Sequence, residues 1–421
     1  VVNGANASDY SGASVSAAGD INGDGIDDLV IGAPGSSPGE YYAGASYVVF
    51  GSDLDWDSAL ELSSLDGNNG FVINGVGAND NSGTSVSTAG DINGDGIDDL
   101  IIGAPYAGGY AGTGAAYVVF GRASDENWGS ALELSSLDGS NGFTISGVNA
   151  GSTLGISVSA AGDVNNDNID DLIIGAIFAS NDAGATGAAY VVFGSDENWS
   201  SPFNLSGLDG NNGFVINGVS AGDNTGIAVG AAGDINVDGE DDLIIGAALA
   251  DPNGESSGAS YVVFGGSEGW SSPLNLSGLN GNNGFVINGE SAGDYSGISV
   301  SPAGDINADN MDDLVIGAAL ADPNGEDSGA GYVVFGSDQG WAGTLNLSSL
   351  NGANGFVFNG VNAGDSAGIS IGKAGDINGD GFDDLVTGAM LADPNGLDSG
   401  TSYIIFGSGE QGDLIIANGF E

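Results

Sequence analysis

The chain has 421 residues, of which 57 are acidic and two, Arg122 and Lys373, are basic, giving a formal charge of -55 with no cysteine and no histidine. Such a charge excludes a nucleic-acid partner held through its phosphates and makes binding to an anionic membrane surface unfavourable. Without cysteine there is no disulfide framework and no zinc or thiol site. No apolar run approaches the roughly 20 residues needed to insert across a bilayer. Val1 stands where a methionine would begin a chain, which suggests that a leader was removed.

Taken from the amino terminus, one pattern repeats. Loops of the same kind begin at Asp20, Asp91, Asp163, Asp234, Asp305 and Asp376, at offsets of 71, 72, 71, 71 and 71 residues. Six copies of this length suit four-stranded propeller blades rather than solenoid turns of 20 to 45 residues. In the second copy Ser85 to Gly90 reads as a strand of small residues for the crowded inner edge of a blade. Leu100 to Ala104 is an apolar run for a strand covered on both faces, and Ala116 to Gly121 a β-branched and aromatic third strand. A longer connection with Trp128 and Leu132-Glu133-Leu134 leads to Phe143 to Gly147, the outermost strand. The expected fold is all-β, a six-bladed β-propeller of four-stranded antiparallel blades. Val1-Val2-Asn3-Gly4 resembles the tail of a fourth strand that the last copy lacks, so the ring is expected to be closed by the N-terminal strand. Residues 1–407 form this single domain, and 408–421 a tail with one strand-like segment, Leu414-Ile415-Ile416. That segment could join the closing blade, pair with another molecule, or be a terminal tag.

Within each loop, oxygen-bearing residues recur at alternate positions, as a hard cation such as calcium requires. The first loop offers Asp20, Asn22, Asp24 and Asp28 with the carbonyl of Ile26, and the second Asp91, Asn93, Asp95 and Asp99 with Ile97. The third offers Asp163, Asn165, Asp167 and Asp171 with Ile169, and the fourth Asp234, Asn236, Asp238 and Asp242 with Glu240. The fifth has Asp305, Asn307, Asp309 and Asp313 with Met311, and the sixth Asp376, Asn378, Asp380 and Asp384 with Phe382. Position 6 is only Gly25, Gly96, Asn168, Gly239, Asn310 or Gly381, the residue types that tolerate a left-handed backbone. Position 7 varies freely, as expected where only a carbonyl is used. Asp, Asn and Gly also make ordinary turns, but six copies with the same ligand order favour about six structural Ca2+ ions. The acidic twelfth residue of an EF-hand is missing, since that position is Ile31, Ile102, Ile174, Ile245, Ile316 or Thr387.

The stretch from Gly83-Thr84-Ser85-Val86 through Gly103-Ala104-Pro105 resembles the FG-GAP repeat of integrin α-subunit propellers and their bacterial relatives. The resemblance covers essentially residues 1–407. It implies a propeller with calcium in the hairpin between the first two strands of a blade, opposite the usual ligand-binding loops. The leading Phe-Gly is here Ser11-Gly12, Ser82-Gly83 or Leu154-Gly155, and Gly-Ala-Pro survives only at Gly32 to Pro34 and Gly103 to Pro105. The integrin ring also has seven blades against six copies in this chain.

Trp56, Trp128, Trp199, Trp270 and Trp341 follow the repeat spacing and read as blade-packing residues. Tyr10, Tyr41, Tyr42, Tyr106, Tyr110, Phe178 and Tyr295 fall in loops on the face opposite the metals and form a candidate recognition surface. Arg122 and Lys373 read as surface charges. With no histidine or cysteine and the acidic clusters committed to metal, no catalytic residue is assigned, and the chain is expected not to be an enzyme. The function expected is calcium-stabilised extracellular binding or adhesion, secreted or at the cell surface, toward a protein or glycan of unknown identity. The alternatives are a glycan-binding or polysaccharide-acting propeller, or a filament subunit that self-associates through its C-terminal strand.

Overall fold

A computed structural model describes residues 1–421 except 54–57, 110–111, 125, 127, 268, 409–415 and 419–421. Six blades follow one another along the chain. In blade two, Ser85–Gly90, Asp99–Ala104, Ala115–Val119 and Gly142–Ser146 lie in that order across one antiparallel sheet. Leu100 faces Val119 and Ile101 faces Val118, and Phe143 pairs with the same Val118 from the other side. All six residues of Asp99–Ala104 are buried, which explains why this run does not alternate with polar residues.

The apolar interior lies between blades rather than inside one. Ile102, Leu100 and Tyr117 of blade two pack with Val30, Val48 and Phe71 of blade one. Ile101, Val118 and Phe143 pack on the other side with Leu172, Ile174 and Tyr190 of blade three. Equivalent clusters join blade three to four, four to five and five to six. Among the described residues no such cluster joins blade six to blade one.

The Gly-Ala-Pro glycine has a packing reason. A Cβ at Gly103 would fall on the carbonyl oxygen of Gly155, the second residue of the next copy's leading pair, and Gly32 stands in the same relation to Gly83. The two ends of the repeat motif are thus the two sides of one backbone contact between blades.

The tryptophans act across the same joints. Phe71 stacks on Trp128, Phe143 on Trp199, Phe214 on Trp270 and Phe285 on Trp341, at ring-centroid distances of 4.1 to 4.3 Å. Each pair links the fourth strand of one blade to the connection of the next; Trp56 lies outside the described residues. The Leu-x-Leu connections also do more than link strands. Ala131–Glu133 adds in parallel to Gly70–Asn74 of the preceding blade, and Leu134–Ser136 follows as a short 3-10 turn that buries Leu134. An alternating pattern read within one repeat cannot reveal a partner in its neighbour.

Closure by the N-terminal strand is not shown: Val2–Asn3 stands against Leu60–Glu61 as Gly70–Asn74 stands against Ala131–Glu133, but among the described residues it has no pairing with blade six. Val2–Asn3 pairs in parallel with Leu60–Glu61, and the outer strand of blade six is Ile416–Asn418, antiparallel to Thr401–Ile405. Ile416–Asn418 thus lies at the outer edge of blade six, and Leu414 and Ile415 of the expected segment lie outside the described residues.

Each joint is also latched by a hydrogen bond. The backbone amides of Asp20, Asp91, Asp163, Asp234 and Asp305 donate to Oδ2 of Asp98, Asp170, Asp241, Asp312 and Asp383 in the next blade, at 2.8 to 3.1 Å. Substituting Asp170→Ala should cost about 1–3 kcal/mol, because it leaves a part-buried amide without its acceptor. Denaturant unfolding would measure this, and an unchanged midpoint would remove the latch from the account.

Candidate functional site

The six acidic loops sit at the turn between the first and second strands of each blade. In loop two, Oδ1 of Asp91 accepts the amide of Asp95 at 2.9 Å and Oδ2 accepts that of Gly96 at 2.8 Å. Asp95 in turn accepts the amide of Ile97 at 3.0 Å. The same three bonds recur in every loop, with Asp20, Asp163, Asp234, Asp305 and Asp376 in the place of Asp91. Position 6 is left-handed as its residue types require, with φ from +63° at Asn310 to +93° at Gly381. Position 4 is left-handed too, although Val237 and Ala308 occupy it in loops four and five. A side chain branched at Cβ is strained there, so the loop geometry is imposed by its bonds rather than chosen by the residue.

The ninth position begins the second strand. Asp28, Asp99, Asp171, Asp242, Asp313 and Asp384 are all buried, and each accepts the amide of a glycine after the third strand. In loops one, two, four and five the position-3 asparagine also points its amide at this carboxylate. Burial, reinforced by the carboxylates at positions 5 and 1, pushes Asp99, Asp171, Asp242 and Asp313 up to about 8, and Asp28 up to about 7. The glycine amide bonds oppose this without cancelling it.

Among the described residues no three acidic side chains converge into a metal cage; in the protein alone the carboxylates rest on backbone amides. Even so, the donor set suits a hard cation. Oδ2 of Asp99 and Oδ1 of Asn165 and Asn236 are buried oxygens without a hydrogen-bond partner, and they occupy ligand positions 9 and 3. Basic side chains do not fill the need. Lys373 pairs with Asp383 at 2.9 Å, and the Arg122 guanidinium lies 4.4 Å over the Trp128 ring. Both cations were read from sequence as plain surface charges, and both have a structural partner.

The latch acids are the residues that the sequence reading missed. Position 8 is aspartate in all six copies, Asp27, Asp98, Asp170, Asp241, Asp312 and Asp383. That invariance was the available signal, and it had no role in the ligand pattern. Five of them tie position 1 of one loop to the loop of the next blade, so the acidic loops and the blade joints share a network.

On the opposite face the predicted aromatic surface is divided. Tyr41 and Tyr42 meet edge to face at 4.4 Å, and the Tyr10 ring covers Gly35 beside them. Tyr106, Phe178 and Tyr295 belong to loops of other blades, and Tyr110 lies outside the described residues. Among the described residues no helix is long and apolar enough to cross a membrane.

The FG-GAP repeat family matches residues 11–49, 82–119, 225–263 and 367–405. FG-GAP repeats thus occupy four of the six blades. The four matched stretches are those with glycine at position 6 of the loop, Gly25, Gly96, Gly239 and Gly381. The propeller is similar to phosphatidylinositol-glycan-specific phospholipase D of Bos taurus, 37 % identical over 163 residues, 38 % of this chain and 18 % of that protein. The protein of that name from Dictyostelium discoideum is 28 % identical over 299 residues, 66 % of this chain and 29 % of its own. Integrin alpha-PS5 of Drosophila melanogaster is 36 % identical over 122 residues, 29 % of this chain and 11 % of its own. The propeller thus spans less than a third of each of these relatives.

These relatives correct the expectation that the chain is not an enzyme, because two of them are named for an enzymatic activity. The lack of histidine and cysteine removes only the chemistries that need those residues.

Proposed function

We propose that this FG-GAP propeller is a calcium-stabilised extracellular binding module, with the ions in the six hairpins and recognition through the loops on the other face. The observation that carries the metal part is the set of six buried position-9 carboxylates in a chain with two basic residues, both engaged elsewhere. A buried carboxylate without a cation is costly, and a bound divalent ion supplies the missing charge. Asp91, Asn93, Asp95 and Asp99, with the Ile97 carbonyl, would hold the ion in loop two, and the matching residues in the other five. There the ion would tie the hairpin to the start of the buried second strand. The strongly acidic surface fits a calcium-rich medium outside the cell. The likeness to an integrin alpha chain favours a protein-binding role.

Metal content decides the first part. Protein equilibrated with calcium and desalted rapidly should carry close to six ions per chain, and Asp99→Asn should carry about one fewer. A calcium content near zero would end the metal reading.

The bovine relative favours a second reading, in which the propeller belongs to a protein acting on phosphatidylinositol-glycans. Release of a glycan-anchored substrate by the chain, measured with and without calcium, tests it.

A further inference from the structure

Blade one departs from blades three, four and five in the loop between its second and third strands. The loops between the second and third strands of blades one, four and five have equal length, running from Gly32 to Gly44, Gly246 to Gly258 and Gly317 to Gly329. In blades four and five an asparagine at the tip closes the space beneath it: Nδ2 of Asn253 donates to the Gly289 carbonyl, and Nδ2 of Asn324 to the Gly360 carbonyl, both at 2.7 Å. Asn181 makes a longer version of the bond in blade three, 3.4 Å to the Gly218 carbonyl. In blade one the matching residue is Gly39, which has no side chain to make it.

A cleft of about 650 Å³ lies beside this loop, lined by its neighbours Ser37, Pro38, Tyr41 and Tyr42 rather than by Gly39 itself, against about 300 Å³ for the equivalent one in blade three. Its rim is also changed. Where blades four and five carry Glu255-Ser256 and Glu326-Asp327, blade one carries Tyr41-Tyr42. Tyr41 is 66 % exposed, yet the backbone under both rings is held, since their carbonyls accept the amides of Asn79 and Asn81 at 2.8 and 3.1 Å. The Tyr42 amide donates to Ser37 Oγ, and the buried Asp9 carboxylate at the base accepts from Asn6.

We propose that this cleft is a binding site for a neutral carbohydrate, which rests on the reading that ligands meet the face opposite the metal hairpins. The volume lies in the range of small-molecule sites. Two tyrosine rings on a held backbone present apolar faces and polar tips, while serine, asparagine and aspartate groups supply the hydrogen bonds that hydroxyl-rich rings require. The charge of -55 repels anionic ligands, so an uncharged sugar fits best.

The test is calorimetric titration of the full chain, in calcium, with maltotriose, cellotriose and triacetylchitotriose, and with tetramethylammonium as a cationic probe. At least one trisaccharide should bind. Tyr41→Ala should weaken it about tenfold or more, the loss of one aromatic anchor. Gly39→Asn, which places there the asparagine of blades four and five, should weaken it at least as much while the melting temperature stays unchanged. The proposal is overturned if no trisaccharide binds, if both variants bind like the parent, or if only tetramethylammonium binds. Calcium content measured on the same samples separates the outcomes: six ions without saccharide binding sink this site alone, and leave the metal-stabilised scaffold standing.

Discussion

Removing calcium with a chelator at low ionic strength should lower the melting temperature of this propeller by about 10 °C. The size follows from mass action. A site filled at ten times its dissociation constant stabilises the folded chain by about 1.4 kcal/mol, and six independent sites by roughly 8 kcal/mol. A chain of 421 residues unfolds with an entropy of about 0.9 kcal/mol/K at the midpoint, which converts that energy to about 10 °C. Net charge complicates the experiment, since any cation relieves the mutual repulsion of 57 acidic side chains. Sodium at matched ionic strength is therefore the necessary control, and it should recover only a small part of the shift. A calcium effect that sodium reproduces in full would trace to screening and sink the loop assignment. The response of Asp91→Asn sharpens the result: one loop lost from six should remove a minor, measurable share of the calcium-dependent shift.

The loops were legible in the sequence because their chemistry is local. The alternate spacing of Asp91, Asn93 and Asp95 and the left-handed residue at Gly96 are all settled within a few residues, and the structure gives Gly96 the φ of +86° that this reading requires. The blade count was legible for the same reason, since a repeat compares the chain with itself. What was not legible lies between blades. Asp98 reads as one more acid in a run of acids until the amide of Asp20, from the blade before, is seen donating to it. Ala131–Glu133 reads as part of a connection until its parallel partner Gly70–Asn74 is in place. Closure is likewise a matter between blades: Val2–Asn3 has the sequence of a fourth strand and pairs with Leu60–Glu61 as one, while the strand beside Thr401–Ile405 is Ile416–Asn418. The binding cleft shows the opposite case: the exchange of asparagine for Gly39 is visible in the aligned copies, but its meaning needs the bond from Asn253 to Gly289.

Replacing Phe143 with alanine should destabilise the propeller by about 3–5 kcal/mol, the usual range for emptying a fully buried aromatic site. Phe143 belongs to blade two, and the ring stacked on it, Trp199, belongs to the connection of blade three, at 4.2 Å and 5° between planes. The loss should therefore fall on the joint rather than on either sheet. Trp199→Ala and the double variant complete a cycle, and a coupling of about 0.5–1.5 kcal/mol is expected for a stacked pair in direct contact. Strict additivity would mean that the two rings pack independently, and a cost below about 1 kcal/mol for Phe143→Ala would mean that the joint collapses around the gap. The interiors of this molecule lie between neighbouring blades, so it behaves as a nearest-neighbour array in which each blade is stable through the next. On that account Phe143→Ala should also raise hydrogen exchange in Gly142–Ser146 and in the strands of blade three, and leave blade five protected as in the parent.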